Sequence, residues 1–435
     1  MYKINVSEVL NFVKDKSYSD IVKQCEENGL CVKYSNDERL KDLFLLANKN
    51  DNDNDHENVV KKTLVNYQAN GIIFEKDTNK VVAMCQNKLI THNNTSDILQ
   101  NVEVKRVEYC EDGTMIRLYN YNGIWYTSTT RCIDARKSYW TSTKNFDELF
   151  WDVFDKELLS TLDKDYTYVF VLLHKENRIV VRHKINMLVY ISRINNETYV
   201  EEYTQQFNNV YGIRRPKKID TNELSNQDEI DITERLYHPF KRGILIKTLN
   251  TVTNQSVNYK IDYINYINIK MIRGNVPEIR MRYLELLNDP ERLQIFEQHY
   301  NEYKFMFRII KGEVLKLIKS IYRLYVDSHI KHITKVDDTH IYYKTLRQLH
   351  AQYKIKNVPI SFDEVQKKIY TMDKKIIKKL LIWQELNQKT FNKSTLTENT
   401  LTENTLTENT LTENTLTENT LTENTLTENT LTENT

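Results

Sequence analysis

EYCEDGTMIRLY, residues 108–119, sets a Glu-Asp-Gly triplet between two runs of strand character. By itself the triplet is an ordinary turn, because Asp and Gly adopt the backbone angles that reverse a chain. Similar runs lie on both sides, at Gly71–Phe74, Lys80–Met84, Met115–Tyr119, Trp125–Thr130, Tyr166–Leu173, Arg178–Arg182 and Met187–Ile194. They alternate or are β-branched, and Asp112-Gly113, Asn122-Gly123 and Asn195-Asn196 punctuate them, which predicts strands joined by turns. A helix carrying Trp140, Phe146, Leu149, Phe150 and Phe154 interrupts the series, and strand character returns at Gly243–Ile246 and Val257–Ile261. The middle of the chain therefore reads as sheet-rich.

On the N-terminal side, Val9, Leu10, Phe12 and Val13 recur at near-helical spacing, and residues 2–48 read as helical. NKNDNDNDHE (Asn48–Glu57) and Asp220–Asp231 are polar loops with nothing to bury. Past Pro277 the period becomes helical, through Leu284, Leu287, Leu293, Phe296, Phe305, Ile309, Leu315, Ile318 and Tyr322. A last helix, Asp373–Asn387, places Lys374, Lys375, Lys378 and Lys379 around Ile376, Ile377, Leu380 and Leu381. It reads as a solvated face over an apolar contact. From Leu396 the chain is eight copies of LTENT, a tail with no apolar face that is expected to be disordered. The expected organisation is α+β: an N-terminal helical region and acidic loop (1–56), a sheet-rich core (57–275), an all-helical C-terminal domain (276–392) and the repeat tail (393–435).

Composition narrows the function classes. The 435 residues carry 61 Lys+Arg against 60 Asp+Glu, but the tail holds eight of the acids, so residues 1–395 carry 61 against 52, or +9. A mildly basic body suits a polyanion-binding surface. Nothing approaches the roughly 18 apolar residues of a membrane span, the most hydrophobic stretch being Tyr166–Leu173. MYKINVSEVLNFVKDK lacks an apolar signal core, so secretion by an N-terminal signal is not expected. Cys25, Cys31, Cys85, Cys110 and Cys132 form no C-x-x-C pair, which argues against a zinc site or disulfide framework and for a reducing compartment. The Asn-X-Ser/Thr match at Asn196 is then fortuitous. The Asn-, Ile-, Lys- and Tyr-rich usage and the tandem tail suggest the A/T-rich genome of a large DNA virus.

Taken together, six segments carry a resemblance: NGIIFEKDTNKVVA (70–83), EYCEDGTMIRLY (108–119), IWYTSTTRCIDA (124–135), YVFVLLHKENRIVV (168–181), KRGILIK (241–247) and VNYKIDYINYIN (257–268). In this order and spacing, with a helical region after them, they resemble the phage-type ATP-dependent RNA ligases of the covalent nucleotidyltransferase superfamily. The resemblance covers residues 60–270, and F-x-x-x-x-x-x-N-R-I-V from Phe170 to Val180 is its most specific piece. It implies a nucleotidyltransferase core of antiparallel sheets, ATP-grasp-like in style. It also implies a chemistry in which the lysine of K-x-D-G attacks the α-phosphate of ATP and releases pyrophosphate. The adenylate then passes to a 5′-phosphate RNA end, and a 3′-hydroxyl displaces AMP. Such a site needs a deprotonated amine, carboxylates for Mg²⁺ and ribose, and lysines against the phosphates.

This chain departs from that pattern repeatedly. Cys110 stands in the lysine slot, Val171 replaces the carboxylate after the Phe, Arg242 replaces the glutamate before Gly243, and Asn258 replaces the first lysine of K-x-K. Ser128-Thr129-Thr130 stands for S-K-G, and Asn70 for the arginine before Gly71. Asp112, Gly113, Asn177, Arg178 and Lys260 survive, and of these Asp112, Gly113 and Lys260 are the expected nucleotide contacts. Losing one positioned charge costs about 10²–10³ in rate, so no intact catalytic set is expected. Lys105 is a poor substitute nucleophile, because bringing it into the slot would break the Asp112-Gly113 turn. The expectation is an RNA- or nucleotide-binding protein on a ligase fold, in the host cytoplasm or the virion, with RNA and other viral proteins as partners. The rival is an active RNA ligase using ATP and Mg²⁺, alone or with a partner subunit.

No G-x-x-x-x-G-K, H-E-x-x-H or G-x-S-x-G occurs. His329 and His332 sit three apart on one predicted helical face and read as surface residues, not a metal pair. Lys311, Lys316, Lys319, Arg323, Lys331 and Lys335 interleave with Tyr322 and Tyr325, a pattern suited equally to a solvated face and to phosphate contact with base stacking.

Overall fold

The computed structural model describes residues 2–49, 64–87, 89–91, 102–219, 241–251 and 256–387. The acidic loop beyond Lys49, the polar loop Asp220–Asp231 and the repeat tail lie outside the described residues. The chain divides into two compact units, one up to Ile310 and one from Lys311 onward.

The first unit is mixed helix and sheet. Strand β1 (Tyr2–Lys3) precedes helices α1 (Ser7–Val13) and α2 (Tyr18–Glu27). Their buried positions Val9, Val13, Ile21 and Cys25 keep the expected helical spacing, and Ser17 caps α2 by accepting from the Asp20 N–H. Helix does not continue to residue 48. Gly29, at φ 66°, turns the chain into β2 (Leu30–Tyr34), and β3 (Leu43–Asn48) follows with all six residues buried. An unbroken apolar run has no period of its own, so β3 is indistinguishable in sequence from buried helix. After α3 (Leu64–Gln68), strands β4 (Asn70–Glu75) and β5 (Val81–Ala83) complete a four-stranded sheet in the order β2-β3-β4-β5.

Strand β6 (Ile90–Thr91) is followed by β7 (Val102–Cys110), β8 (Thr114–Tyr121) and β9 (Ile124–Ser128); then come α4 (Phe146–Trp151), β10 (Tyr166–Leu173), β11 (Met187–Asn195), β12 (Val200–Glu202), β13 (Ile213–Arg214) and β14 (Lys218–Ile219). The largest sheet runs β1-β12-β11-β10-β8-β9, with β13 parallel to β11. Its central strand β10 is covered on both sides. Tyr168, Phe170 and Leu172 join the aromatic cluster around α4, while Val169 and Leu173 join the core beneath α1 and α2. That double burial explains the continuous apolar reading of Tyr166–Leu173. Asn196 is also buried, donating to the Val82 carbonyl at 3.0 Å and accepting from Thr167 at 2.7 Å, so it is no glycan acceptor.

The third sheet, β14-β7-β15-β16-β6, adds β15 (Gly243–Asn250) and β16 (Ser256–Asp262). Val107, Ile244, Ile246 and Ile261 form its apolar side with Val180, Tyr263 and Tyr266. Helices α5 (Ile264–Arg273), α6 (Ile279–Leu286) and α7 (Pro290–His299) follow, and α8 (Lys304–Tyr325) begins.

Arg178–Arg182 is not a strand. Its backbone groups are taken by side chains: Asp112 accepts from the Val180 and Val181 N–H groups at 2.9 and 2.7 Å, and the Tyr300 hydroxyl donates to the Ile179 carbonyl at 2.6 Å. A β-branched segment satisfied in this way has no need of a ladder.

The second unit is helical, with the rest of α8, then α9 (Tyr343–Lys356), α10 (Phe362–Tyr370) and a helix over 374–387. Helix α8 runs into a π turn at Val326–Ile330, and His332 has φ 55°. His329 and His332 therefore do not share a helical face. His329 instead stacks on Tyr325 at 5.3 Å and lies 4.7 Å from His350. Among the described residues no helix is long and apolar enough to cross a membrane.

Division of the chain also locates its charge. Residues 1–310 carry 43 Lys+Arg and 44 Asp+Glu, a net −1, whereas residues 311–387 carry 16 and 8, a net +8. The body's basic excess belongs to the helical unit.

Candidate functional site

Antiparallel register assembles the site. Cys110, the last residue of β7, pairs with Gly243 of β15, which pairs with Asp262 of β16. One step along, Glu108, Leu245 and Lys260 form the next row, then Arg106, Lys247 and Asn258. The expected slots at 110, 242, 258 and 260 are thus brought together on three adjacent strands. On β10, Val171 packs against the core beneath α1 and α2; a Cβ placed on Gly113 would lie 2.8 Å from the Val171 Cγ1 and would collide with the Leu172 carbonyl oxygen. A Cβ on Gly243 would collide with the Ile261 carbonyl oxygen. Both glycines are required by close packing of the strands, whatever their relation to a ligand.

Each surviving polar residue has a partner within the protein. Asp112, 2% exposed, accepts at Oδ2 from the two N–H groups of Val180 and Val181 and at Oδ1 from the Tyr266 hydroxyl at 2.6 Å. Burial pushes the Tyr266 phenol well up, which keeps it a donor. Asn177 donates to Thr114 at 2.9 Å. Arg178 lies 4.4 Å from the Tyr300 ring centroid, donates to the His299 carbonyl at 2.9 Å and pairs with Glu302. Lys260 lies 3.0 Å from Asp262, and Arg242 holds the other Asp262 oxygen at 3.0 Å. Lys105 is paired with Glu103 on β7 and does not enter the lysine slot.

The Cys110 thiol is pushed up by burial, against the pull of nearby Arg242. A thiol held protonated is a poor nucleophile. Burial opposes the charge on Arg242, but Cys110, Tyr266, Asp262 and Asp112 around it more than offset this and raise its pKa well above the ordinary value. The site therefore contains a guanidinium where the resemblance implies a carboxylate.

Sequence reasoning missed a second layer of charge beside these slots. Glu108, 1% exposed, pairs with Arg106 and lies 3.5 Å from the Lys247 Nζ, which itself sits 4.3 Å from the Tyr203 ring centroid. Arg106 and Glu108 are two apart on β7, and that polar alternation was the available signal. Lys247, the other partner of Glu108, comes from β15 and could not be read from it.

Mg²⁺ and ATP, implied by the resemblance, can be tested against these residues. Divalent magnesium needs carboxylate oxygens free to bind it. Here Asp262 serves Arg242 and Lys260, Glu108 serves Arg106 and Lys247, and Asp112 caps a loop. Among the described residues no group of three His, Cys, Asp or Glu could hold a metal. The donor set does not fit the ion.

The loop above the site is sensitive to pH through His299. Its Nε2 lies 3.0 Å from the Val180 carbonyl, and burial holds its pKa below the ordinary 6.5. His174, also in the first unit, is lowered by burial too. The unfolded chain therefore takes up protons first, so this stability is complete above pH 6.5 and is lost as pH falls toward the folded pKa. The unfolding temperature is expected to drop between about pH 7.5 and pH 5.5, with a shallower slope in His299→Gln. Equal slopes in the two proteins would exclude the assignment.

No family model matches the chain. In sequence it is 23% identical over 347 residues to the immediate-early protein ICP-46 homolog of Invertebrate iridescent virus 6, covering 72% of each chain. It is 26% identical over 230 residues to the ICP-46 homolog of Invertebrate iridescent virus 3, covering 50% of this chain and 48% of that one. Both relatives are viral. In structure it is similar to an archaeal ATP-dependent RNA ligase, with a TM-score of 0.40 and 11% identity, covering 84% of this chain and 97% of that one. It is also similar to a variant of Naegleria gruberi RNA ligase solved with ATP and Mn, with a TM-score of 0.33 and 13% identity, covering 43% and 58%.

Proposed function

We propose that this chain is a viral nucleotidyltransferase-fold protein of RNA-ligase descent that no longer adenylates itself and binds RNA or nucleotide without divalent metal. One observation carries the reading. Where adenylation needs a free amine and free carboxylates, the site has a half-buried thiol at Cys110 and an Asp262 carboxylate already held by both Arg242 and Lys260. The net +8 of residues 311–387 supports RNA as the ligand, because phosphate neutralisation by Lys and Arg supplies most non-specific affinity. The relatives' designation as immediate-early proteins supports extending the proposal to a protein made early in infection, with other viral proteins as partners.

The deciding experiment incubates the full chain with α-labelled ATP and Mg²⁺ and separately titrates it with single-stranded RNA in EDTA. No covalent label and RNA binding that weakens steeply with salt are the expected results. Labelling of the protein, or binding that requires Mg²⁺, overturns the proposal. One observation favours the rival, an active ligase: the Lys247 Nζ is a buried amine in the same sheet, ion-paired with Glu108 at 3.5 Å but making no hydrogen bond. Under that rival the label appears and is lost in Lys247→Arg.

A further inference from the structure

A cavity of about 310 Å³ opens in the first unit between β9, α4 and the turn before β3. Its volume falls at the lower end of small-ligand pockets. Trp125 and Trp151 line it, and Arg39, Arg136 and Lys156 stand around it. These residues are separate from Cys110, Arg242, Lys260 and Asp262.

The aromatic surface is held in place from behind. Asp147 accepts from the Trp151 indole N–H at 2.8 Å and from the Thr127 hydroxyl at 2.5 Å. Trp125 packs edge-on against Tyr168 at 6.0 Å, inside the α4 cluster. Two indoles are thus fixed at a surface opening, where a buried core would have been the ordinary place for them.

The cations are graded by exposure against their carboxylates. Arg136 bridges Asp134 at 2.8 Å and Asp37 at 2.9 Å, and Arg39 donates to Asp37 at 3.0 and 2.7 Å. Asp134 is 3% exposed and Asp37 19%, whereas Arg136 is 34% and Arg39 51% exposed. The acids lie behind and the guanidinium groups toward solvent. Arg39 carries five N–H donors and commits two of them to Asp37, so donors remain for a second anion. Lys156 has no acidic partner among the described residues and lies 5.3 Å from the Trp151 ring centroid.

We propose that this pocket binds a nucleoside monophosphate unit, its base against the Trp125–Trp151 surface and its phosphate against Arg39 and Lys156. Flat indoles accept any base by stacking, and guanidinium is suited to phosphate. The unit could come from free nucleotide or from one residue of a single strand, and two ligands separate these sources. AMP and a decamer of riboadenylate are each titrated into the full chain in EDTA, beside Lys156→Glu, the Arg39→Glu/Lys156→Glu double variant and a control, Lys23→Glu on α2. Lys156 is exposed and unpaired, so its variant is expected to fold, as circular dichroism would verify.

The expected result is about tenfold weaker binding in Lys156→Glu and a greater loss in the double variant, with Lys23→Glu near wild type. Loss seen with both ligands supports a mononucleotide site; loss seen with the decamer alone supports a strand subsite. If neither ligand binds, or the pocket variants and Lys23→Glu lose affinity equally, the proposal fails. The adenylation assay reads the cleft separately, so failure of one proposal is distinguishable from failure of the other.

Discussion

Asp112→Ala is expected to destabilise the first unit by about 3–5 kcal/mol. The substitution leaves three buried donors without an acceptor, the N–H groups of Val180 and Val181 and the Tyr266 hydroxyl. Each unsatisfied buried donor costs about 1–3 kcal/mol, and relaxation of the 174–186 segment recovers part of the sum. Asp112→Asn should cost only about 1–2 kcal/mol, because an amide oxygen still accepts from both N–H groups while the charge is lost. Urea unfolding of the first unit measures both. The contrast tests function as well as stability. An aspartate kept free for a ribose or a metal is usually dispensable to the fold, and its removal is neutral or stabilising. A neutral Asp112→Ala would therefore mean that the carboxylate is reserved for a ligand, and would count against the reading of a site turned over to structure.

How much of this was legible in the sequence depends on the range of the interactions. Strand β10 was read with its true ends, because Tyr166–Leu173 is buried on both faces and bounded by polar residues. Sheet register carries Cys110, Gly243 and Asp262 to one row of three antiparallel strands, beside Arg242 and Lys260. Two readings failed for opposite reasons. At β3 six consecutive buried residues gave no period, and at Arg178–Arg182 β-branched residues suggested a strand whose hydrogen bonds go to Asp112, Tyr300 and His299. The paired state of the cleft was half legible. Lys260 and Asp262 are two apart on one strand face, but Arg242 reaches Asp262 only through sheet register. The Arg39–Trp151 pocket was not legible at all, because its two ends are separated by strands β3 to β9.

Arg242→Glu, which restores the residue the ligase resemblance implies, is expected to cost about 3–5 kcal/mol and to restore no activity. It replaces the partner of a 6%-exposed Asp262 with a second carboxylate, and only Lys260 is left to balance the two. Cys110→Lys alone should also destabilise, since it sets a half-buried ammonium beside the Arg242 guanidinium. Together the two changes exchange a thiol–guanidinium contact for an ammonium–carboxylate one. The double variant is therefore expected to be more stable than the sum of the single losses predicts, by about 1–3 kcal/mol. Thermal unfolding of the four proteins closes this cycle. Strong positive coupling would show that positions 110 and 242 still address one another across β7 and β15, as nucleophile and acid would have to. Strict additivity would mean that the Arg242–Asp262 pair stands alone and that the thiol is a bystander. The double variant is the one to carry into the α-labelled ATP assay: label there and none in wild type would show that two residues separate this cleft from adenylation, whereas no label in a folded double variant would extend the loss to Val171 and Asn258.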